Sequence, residues 1–430
     1  MKKLNHIYLV FLLLFLLTGC NEAIAQQPLE TVIPLPTLTH TPTATHTMPA
    51  TATPTHTPTH TPSPSATHTQ TATHTPSPTN TATDTPTIIP PTSTSTATST
   101  PAIVSLLAPQ TPTITPTPAP ITDPSLTIQA LSERDYGGGQ IKIVETLADR
   151  KGYMRYLYTY PSDGLTIYGY MDVPKHATPP YPVAVVIHGH LPPNLYNTQT
   201  YTRRYTAPLA EAGYIVLHPN MRGFYPSDDG MDWFRIGVAT DVLNLLGILK
   251  QTAGQPGPLE HADLSFIGLM GHSMGGGAAL RVATVDQDIS ATVLYSSMSG
   301  NERWNYEKIL RWSGGKYGHR ELVTPDSFLE QVSPNFHLHR VTGPLSIHNG
   351  EADGGTIKWG IDLCDQLKGI EKPVECFTYP DQPHIFEGAG EKLFTKRLIE
   401  FFDKVRLGTE IGTQPEQSDG NSGSQNEIMQ

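Results

Sequence analysis

A serine stands at the centre of the most constraining stretch of this sequence, residues 271–276, which read GHSMGG. The apolar run 264–270 before it is typical of a buried strand, and residues 278–283 after it indicate a helix. Small residues around a serine at such a junction permit a turn so tight that the hydroxyl stands exposed above the sheet. Ser273 is therefore the first candidate for a nucleophile. The alternative is a Gly-rich turn that only joins two elements.

The first 20 residues have the pattern of a targeting segment. Lys2 and Lys3 supply positive charge, and the apolar run from Ile7 to Leu17 is too short to span a bilayer comfortably. This pattern predicts a removable signal peptide over 1–20. The run ends in LTGC, with the cysteine at Cys20, and resembles the lipobox of bacterial lipoproteins. The resemblance implies a mature protein that begins at an acylated Cys20 and is anchored at the cell surface. The alternative is an ordinary secretory peptide, and both place the mature protein outside the cytoplasm.

Residues 21–125 form a segment dominated by Thr and Pro, with no Lys or Arg between Lys3 and Arg134. A segment without hydrophobic periodicity cannot bury enough apolar surface to offset the entropy of ordering, so we predict a disordered or extended stalk. It resembles the Ser/Thr/Pro stalks that often carry O-glycans. Its irregularly spaced histidines indicate a solvated linker and not a metal site: His40, His46, His56, His60, His68 and His74. A surface or adhesive protein whose function is the stalk is the competing hypothesis.

Charge and cysteine content limit the partners and the compartment. The formal net charge is −11, and no basic stripe is present to neutralise phosphates, so we expect no nucleic-acid partner. With Cys20 lipidated, Cys364 and Cys376 remain as an even pair that outside the cytoplasm is able to form a disulfide. One is predicted on a helix and the other on a strand, so the geometry leaves that pairing open.

Residues 126–407 have the composition of a globular core, and the polar tail 408–430 is predicted to be disordered. Two strands, 153–160 and 165–173, flank an Asp-Gly turn typical of a hairpin. A continuous β-branched run over 181–187 predicts a strand buried on both faces. Further strands are predicted at 214–217, 264–270, 291–295, 344–348 and 374–379, with helices at 207–212, 233–249 and 391–405. This alternation predicts a mostly parallel α/β sheet with helices on both faces.

The segment from about 300 to 341 carries more aromatic residues than a plain connection requires: Trp304, Tyr306, Trp312, Tyr317 and Phe328. One interpretation is a small cap over the active site. The other is that these aromatic side chains only pack the insertion onto the core.

The last two predicted strands are each followed by a titratable residue, Asp353 and His384. Loops at the carboxyl ends of parallel strands form the ligand crevice, so these residues are expected to converge with Ser273. The order Ser, Asp, His is the one expected of an α/β-hydrolase. It assigns Ser273 as nucleophile, His384 as general base and Asp353 as the orienting carboxylate. Glu351 and Asp381 are the rival carboxylates.

Two backbone N–H groups are predicted to form an oxyanion hole. One belongs to Met274, just after the nucleophile, and the other to His190, in the loop after the first core strand. His272 adjoins the serine but is expected to pack in the interior, pointing away from the hydroxyl. His188 and His190 lack a third ligand at suitable spacing, so we expect no metal and no cofactor.

Five motifs carry a family resemblance: HGH at 188–190, RGFYPS at 222–227, GHSMGG, HNGEAD at 348–353 and PDQPH at 380–384. In this order they resemble α/β-hydrolases, in particular the catalytic domain of the prolyl oligopeptidase family and the dienelactone-hydrolase group. The resemblance implies a serine hydrolase that acts on an ester or amide of a small molecule, peptide or polymer through an acyl-enzyme. The elbow is also similar to that of cutinase-like polyester hydrolases.

The sequence departs from the peptidase pattern in two places, and the first departure, the missing propeller, favours a carboxylesterase as the alternative activity. The stalk stands where prolyl oligopeptidases carry a β-propeller. The motif HGHLPP at 188–193 also differs from the HGGP of the peptidases, which leaves the second oxyanion donor less defined.

Overall fold

The computed structural model describes residues 118–192, 194–409 and 411. The predicted signal peptide, Cys20 and the stalk up to residue 117 lie outside this part of the chain, as does most of the tail predicted over 408–430. Within the described part, no helix is both long and apolar enough to cross a bilayer.

Nine strands of the described chain form one sheet in the order β1-β2-β3-β5-β4-β6-β7-β8-β9. The first three pair antiparallel, β3 pairs antiparallel with β5, and all later pairs are parallel. The predicted mostly parallel α/β sheet is therefore confirmed. The strands are β1 (Lys142–Asp149), β2 (Tyr153–Ser162), β3 (Leu165–Pro174), β4 (Tyr181–Ile187), β5 (Ile215–Pro219), β6 (Ala262–His272), β7 (Ala291–Tyr295), β8 (Leu345–Gly350) and β9 (Val374–Tyr379).

Strand β4 lies inside the sheet, with its residues shared between two buried clusters. Val183, Val185 and Ile187 belong to one cluster, and Ala184 and Val186 belong to the other. Because successive side chains of a strand point to opposite faces, the two clusters lie on the two sides of the sheet. A strand buried on both faces needs the continuous apolar run that predicted it.

Helices cover both faces. Helices α3 and α4 contribute to the larger cluster, and α2 and α9 contribute to the smaller one. Short 3-10 turns precede α1 and α3 and follow α7. The helices are α1 (Ile128–Ser132), α2 (Arg203–Glu211), α3 (Ile236–Thr252), α4 (Met274–Val285), α5 (Glu302–Trp312), α6 (His319–Leu322), α7 (Asp326–Val332), α8 (Ile357–Gly369) and α9 (Gly388–Arg406).

The ordered domain extends a few residues before the predicted boundary at 126. Ile121 is buried, and its N–H donates to Thr324 Oγ1 at 3.1 Å. Arg320 Nε donates to the carbonyl of Ala119. The last residues assigned to the stalk therefore lie against the insertion between β7 and β8.

That insertion contains α5, α6 and α7, and its aromatic side chains differ in burial. Tyr306 and Phe328 pack on Phe234, with ring centroids 5.8 and 6.4 Å from it. Trp312 and Tyr317 are 66% and 55% exposed. Packing onto the core thus accounts for part of the aromatic content, while Trp312, Tyr317 and Phe336 stay exposed and Trp304 is half-buried.

A disulfide joins Cys364 on α8 to Cys376 on β9, with the Cα atoms 6.4 Å apart. The helix-to-strand placement that left the pairing open is compatible with the bond, because α8 packs directly against the strand that follows it. The bridge closes the connection between the loop of Asp353 and the loop of His384.

Candidate active site

Ser273 lies at the turn between β6 and α4 with φ 54° and ψ −116°. Such a backbone is strained for a residue with a side chain, and it lifts the side chain out of the turn. The close approach needs small neighbours. A Cβ at Gly271 would lie 2.2 Å from the Gly275 carbonyl oxygen, and one at Gly275 would lie 2.3 Å from the Ile187 carbonyl oxygen. The glycines of GHSMGG are therefore steric requirements of this turn.

The structure brings Ser273, His384 and Asp353 into one hydrogen-bonded line. Ser273 Oγ lies 2.9 Å from His384 Nε2, and His384 Nδ1 lies 2.7 Å from Asp353 Oδ2. Because a carboxylate only accepts, Nδ1 carries the ring proton and Nε2 accepts from the serine hydroxyl. The rival carboxylates Glu351 and Asp381 are exposed, and within the described residues Asp353 is the one that contacts the His384 ring.

Asp353 is kept ionised by its surroundings. Burial alone raises the pKa of this carboxyl, but hydrogen bonds from His384, Thr356 and the Gly355 N–H outweigh burial and leave the pKa below its usual value. Gly355 N donates to Oδ1 at 3.1 Å, and the Thr356 hydroxyl donates to the Oδ2 that also accepts from His384. The Asp353 side chain therefore stays negatively charged and determines the tautomer of the His384 imidazole.

The insertion supports the loop that carries Asp353. Lys308 on α5 donates from Nζ to the Gly355 carbonyl oxygen at 2.7 Å. Burial lowers the pKa of Lys308, and the nearby charge of Asp353 opposes that effect. One helix of the insertion therefore contacts the loop of the orienting acid.

Neither predicted oxyanion donor has a hydrogen-bond acceptor in the part of the chain that the structure describes. At the start of α4 the N–H groups of Gly276 and Gly277 donate to the Ser273 carbonyl, whereas the Met274 N–H has no acceptor among the described residues. The His190 N–H likewise has none there. The loop of His190 passes close to the nucleophile, since a Cβ on Gly189 would lie 3.0 Å from Ser273 Cβ.

The ring nitrogens of two other histidines near the site, His272 and His188, are hydrogen-bonded to groups other than the Ser273 hydroxyl. His272 is buried, with its Nδ1 on the Tyr201 hydroxyl and its Nε2 on the His384 carbonyl oxygen. His188 is buried between the carbonyl oxygens of Gly189 and Asn220, and burial lowers its pKa to about 4. In the described part of the chain no group of three His, Cys, Asp or Glu side chains is placed to hold a metal ion.

The triad opens to solvent at His384, whose side chain is 41% exposed, whereas Asp353 is buried and Ser273 is half-buried. A cavity of about 490 Å³ lies elsewhere, between the segment 120–134 and α3, and neither Ser273 nor His384 lines it. We therefore place the candidate site at the exposed face of the triad and not in that cavity, whose Arg222 and Arg134 are already paired with Asp241 and Asp163.

Sequence reasoning missed two residues that contact this site. Thr356 braces Asp353, and its only sequence signal is a position three residues after the acid at the start of a helix. Tyr201 contacts both Gly189 and His272 across 12 and 71 residues of sequence, and nothing in its local sequence marks it.

Comparison with known sequences supports the architecture. The sequence profile described as "Alpha/beta hydrolase family" matches residues 184–362, which contain Ser273 and Asp353. Together with the sheet order and the serine at the turn after β6, this match decides the fold. The domain is an α/β-hydrolase domain. No curated protein matches the chain.

Solved structures of similar fold include acetyl xylan esterase 1 from Thermoanaerobacterium sp. JW/SL YS485, at a TM-score of 0.50 and 17% identity. That match covers 66% of this chain and 95% of the esterase chain. The acylaminoacyl peptidase of Pyrococcus horikoshii matches at a TM-score of 0.50 and 20% identity, over 64% of this chain and 49% of the peptidase chain. At these identities the likeness describes the fold of the α/β-hydrolase domain.

Proposed function

We propose that the α/β-hydrolase domain is a serine hydrolase that cleaves a carboxylic ester or an amide through an acyl-enzyme on Ser273. The observation that carries this proposal is the line of hydrogen bonds from Ser273 Oγ through His384 to Asp353, at 2.9 and 2.7 Å. Serine is a weak nucleophile without a base in contact, and a histidine oriented by a carboxylate supplies that base.

In the acylation step, Ser273 Oγ attacks the carbonyl carbon of the substrate. The new O–C bond forms as the hydroxyl proton passes to His384 Nε2 and the carbonyl electron pair moves onto oxygen. The tetrahedral intermediate then expels the alcohol or amine, which takes the proton from Nε2. Water repeats the sequence on the acyl-enzyme and releases the acid, while Asp353 stays ionised and stabilises the imidazolium.

The negative oxygen of the intermediate needs donors that are free before the reaction. Met274 and His190 each offer an N–H without an acceptor in the described structure. We assign them as the oxyanion hole. A donor of this kind contributes about 2.7 to 4 kcal/mol of transition-state stabilisation in other hydrolases.

Two observations support an ester as the substrate over a peptide. The chain aligns with 95% of an esterase chain but only 49% of a peptidase chain, so a major part of the peptidase has no counterpart in the alignment. The triad also opens to solvent at His384, which suits a small or polymeric ester that approaches from solvent. Peptidase activity of the prolyl-oligopeptidase type is the second candidate, supported by the resemblance to that family of the five motifs taken in order.

A panel of p-nitrophenyl esters beside aminoacyl p-nitroanilides distinguishes these activities. Because nitrophenyl esters are intrinsically more labile, each kcat/KM should be divided by the uncatalysed rate constant of the same compound. We expect the larger rate enhancement on the esters. A larger enhancement on the anilides assigns a peptidase, and no Ser273-dependent turnover of either class supports a non-catalytic adhesive protein.

We further propose that the domain is anchored outside the cytoplasm by a lipid on Cys20. The lipobox-like sequence before Cys20 is the support for this location. Metabolic labelling with a clickable fatty acid should modify the wild type and not Cys20→Ser, and the variant should appear in the medium. Equal labelling of both proteins would contradict the anchor.

A further inference from the structure

A continuous chain of hydrogen bonds runs behind the nucleophile. The Gly189 N–H donates to the Tyr201 hydroxyl oxygen at 2.6 Å, that hydroxyl contacts His272 Nδ1 at 2.7 Å, and His272 Nε2 contacts the His384 carbonyl oxygen at 3.1 Å. Gly189 lies in the loop after β4, and His384 lies in the loop after β9. The chain therefore connects the loop that carries an oxyanion donor to the loop that carries the general base.

The His384 carbonyl oxygen, at one end of this chain, determines the direction of every hydrogen bond in it. A carbonyl oxygen only accepts, so His272 Nε2 holds the ring proton. Burial lowers the pKa of His272 to about 3, so the ring is neutral near pH 7 and Nδ1 is an acceptor. Tyr201 then donates to Nδ1, and its oxygen is left to accept from Gly189. Each group has one role, and the chain permits no second arrangement of its protons.

The loop that carries Gly189 also packs closely against His272 and Tyr201. A Cβ on Gly189 would lie 2.9 Å from His272 Nδ1 and 3.0 Å from the Tyr201 hydroxyl. The loop therefore packs directly against the side chains of His272 and Tyr201, which leave no room for a larger residue at position 189. Since the Gly189 N–H is consumed by Tyr201, the N–H of the next residue, His190, is the one left available to a substrate oxygen.

We propose that Tyr201 and His272 are positioning residues, which hold the His190 peptide and the His384 loop in register around Ser273. The inference rests on the serine-hydrolase function proposed above and extends it to two side chains that touch no substrate. Oxyanion donors act on the transition state more than on the bound substrate, so loosening them lowers kcat with little effect on KM. A displacement of about 1 Å in such a group costs about 10²-fold in rate.

The test uses four variants of the full chain with an activated ester. Tyr201→Phe removes the hydroxyl from the chain. His272→Asn keeps an acceptor at the position of Nδ1 but loses the contact with His384, and His272→Gln keeps a donor near Nε2 but loses the contact with Tyr201. Tyr196→Phe is the matched control, because its buried hydroxyl lies in the same loop region and has no partner among the described residues.

The readout is the pre-steady-state burst of product. Its amplitude counts folded active sites, and its rate constant reports acylation in those sites. We expect Tyr201→Phe to lower the acylation rate constant by about 10- to 10²-fold at unchanged amplitude per folded protein. Both His272 variants should show smaller losses, since each keeps two of the three hydrogen bonds whereas Tyr201→Phe keeps one. Tyr196→Phe should match the wild type.

Three outcomes distinguish a failure of the positioning role from a failure of the proposed hydrolase function. An acylation rate constant in Tyr201→Phe equal to that of Tyr196→Phe overturns the positioning role while leaving the hydrolase function standing. A loss of amplitude alone assigns Tyr201 to stability and also overturns it. Turnover that survives Ser273→Ala contradicts the proposed function itself, independently of Tyr201.

Discussion

The Glu302 carboxylate is paired with the Arg281 guanidinium inside the protein, where the two side chains are only 3% and 2% exposed. Arg281 lies on α4, the helix that begins directly after Ser273, and Glu302 is the first residue of α5. Arg235 pairs with the other oxygen of Glu302. One buried carboxylate thus ties the insertion to the helix of the nucleophile.

Replacing Glu302 should therefore be costly. Glu302→Gln leaves two buried arginines without their carboxylate, and we expect the free energy of unfolding to fall by about 3 to 5 kcal/mol. Urea denaturation followed by fluorescence measures the change. Glu330→Gln, an exposed residue of α7, is the control and should stay within about 0.5 kcal/mol of wild type. Equal effects of the two substitutions would show that the buried pair is not what anchors the insertion.

Asp353→Asn tests the orienting carboxylate. The amide is able to donate to the ring, which favours the wrong imidazole tautomer, and we expect kcat to fall by about 10⁴, as in other triads of this type. KM should change little. Glu351→Gln is the matched control, since Glu351 is exposed two residues away. Steady-state kinetics on one ester measure both values of kcat. A larger fall in kcat for Glu351→Gln than for Asp353→Asn would assign the orienting role to Glu351.

The lowered pKa of Asp353 also predicts how stability depends on pH. A carboxyl whose pKa is depressed by folding stabilises the protein above its unfolded value, which is about 3.8, and loses that contribution as the pH falls through the folded value. The difference in unfolding free energy between wild type and Asp353→Asn should thus shrink as the pH falls from 6 to 3. A difference that stays constant or grows would mean that folding does not depress this pKa.

The disulfide between Cys364 and Cys376 should contribute to stability. It closes a loop with a sequence separation of 12, and constraint of the unfolded chain by a loop of that size contributes about 3 kcal/mol. The double variant Cys364→Ser/Cys376→Ser should lose about that amount in urea denaturation. A reductant should destabilise the wild type and leave the variant unaffected, and the same response in both would indicate that the bridge is absent in solution.

Patterns with a direct physical cause were predictable from the sequence. The strand 181–187 was predicted with its observed bounds, because burial on both faces demands an uninterrupted apolar run. The order of Ser273, Asp353 and His384 predicted their convergence, because parallel strands deliver all three loops to one edge of the sheet. The three residues converge although 111 residues of sequence separate Ser273 from His384.

Features set by tertiary contacts were not predictable in this way. Strand β1 is largely exposed and lacks an apolar alternation, so no periodicity marks it. The helix predicted from 233 starts at Ile236, because Phe234 and Arg235 adopt left-handed conformations that packing around Arg281 and Glu302 holds in place. Tyr201 is another such feature, since its partners are Gly189, 12 residues earlier in the same loop, and His272 at the end of β6.

The most direct test of the central claim is labelling by a fluorophosphonate, which reacts with an activated serine. We expect the probe to modify the wild type at Ser273, identified by mass spectrometry of the labelled peptide, and to leave Ser273→Ala unlabelled under the same conditions. His384→Ala should be labelled far more slowly, because the base is missing. Labelling of Ser273→Ala at the wild-type rate would contradict the assignment of Ser273 as the nucleophile.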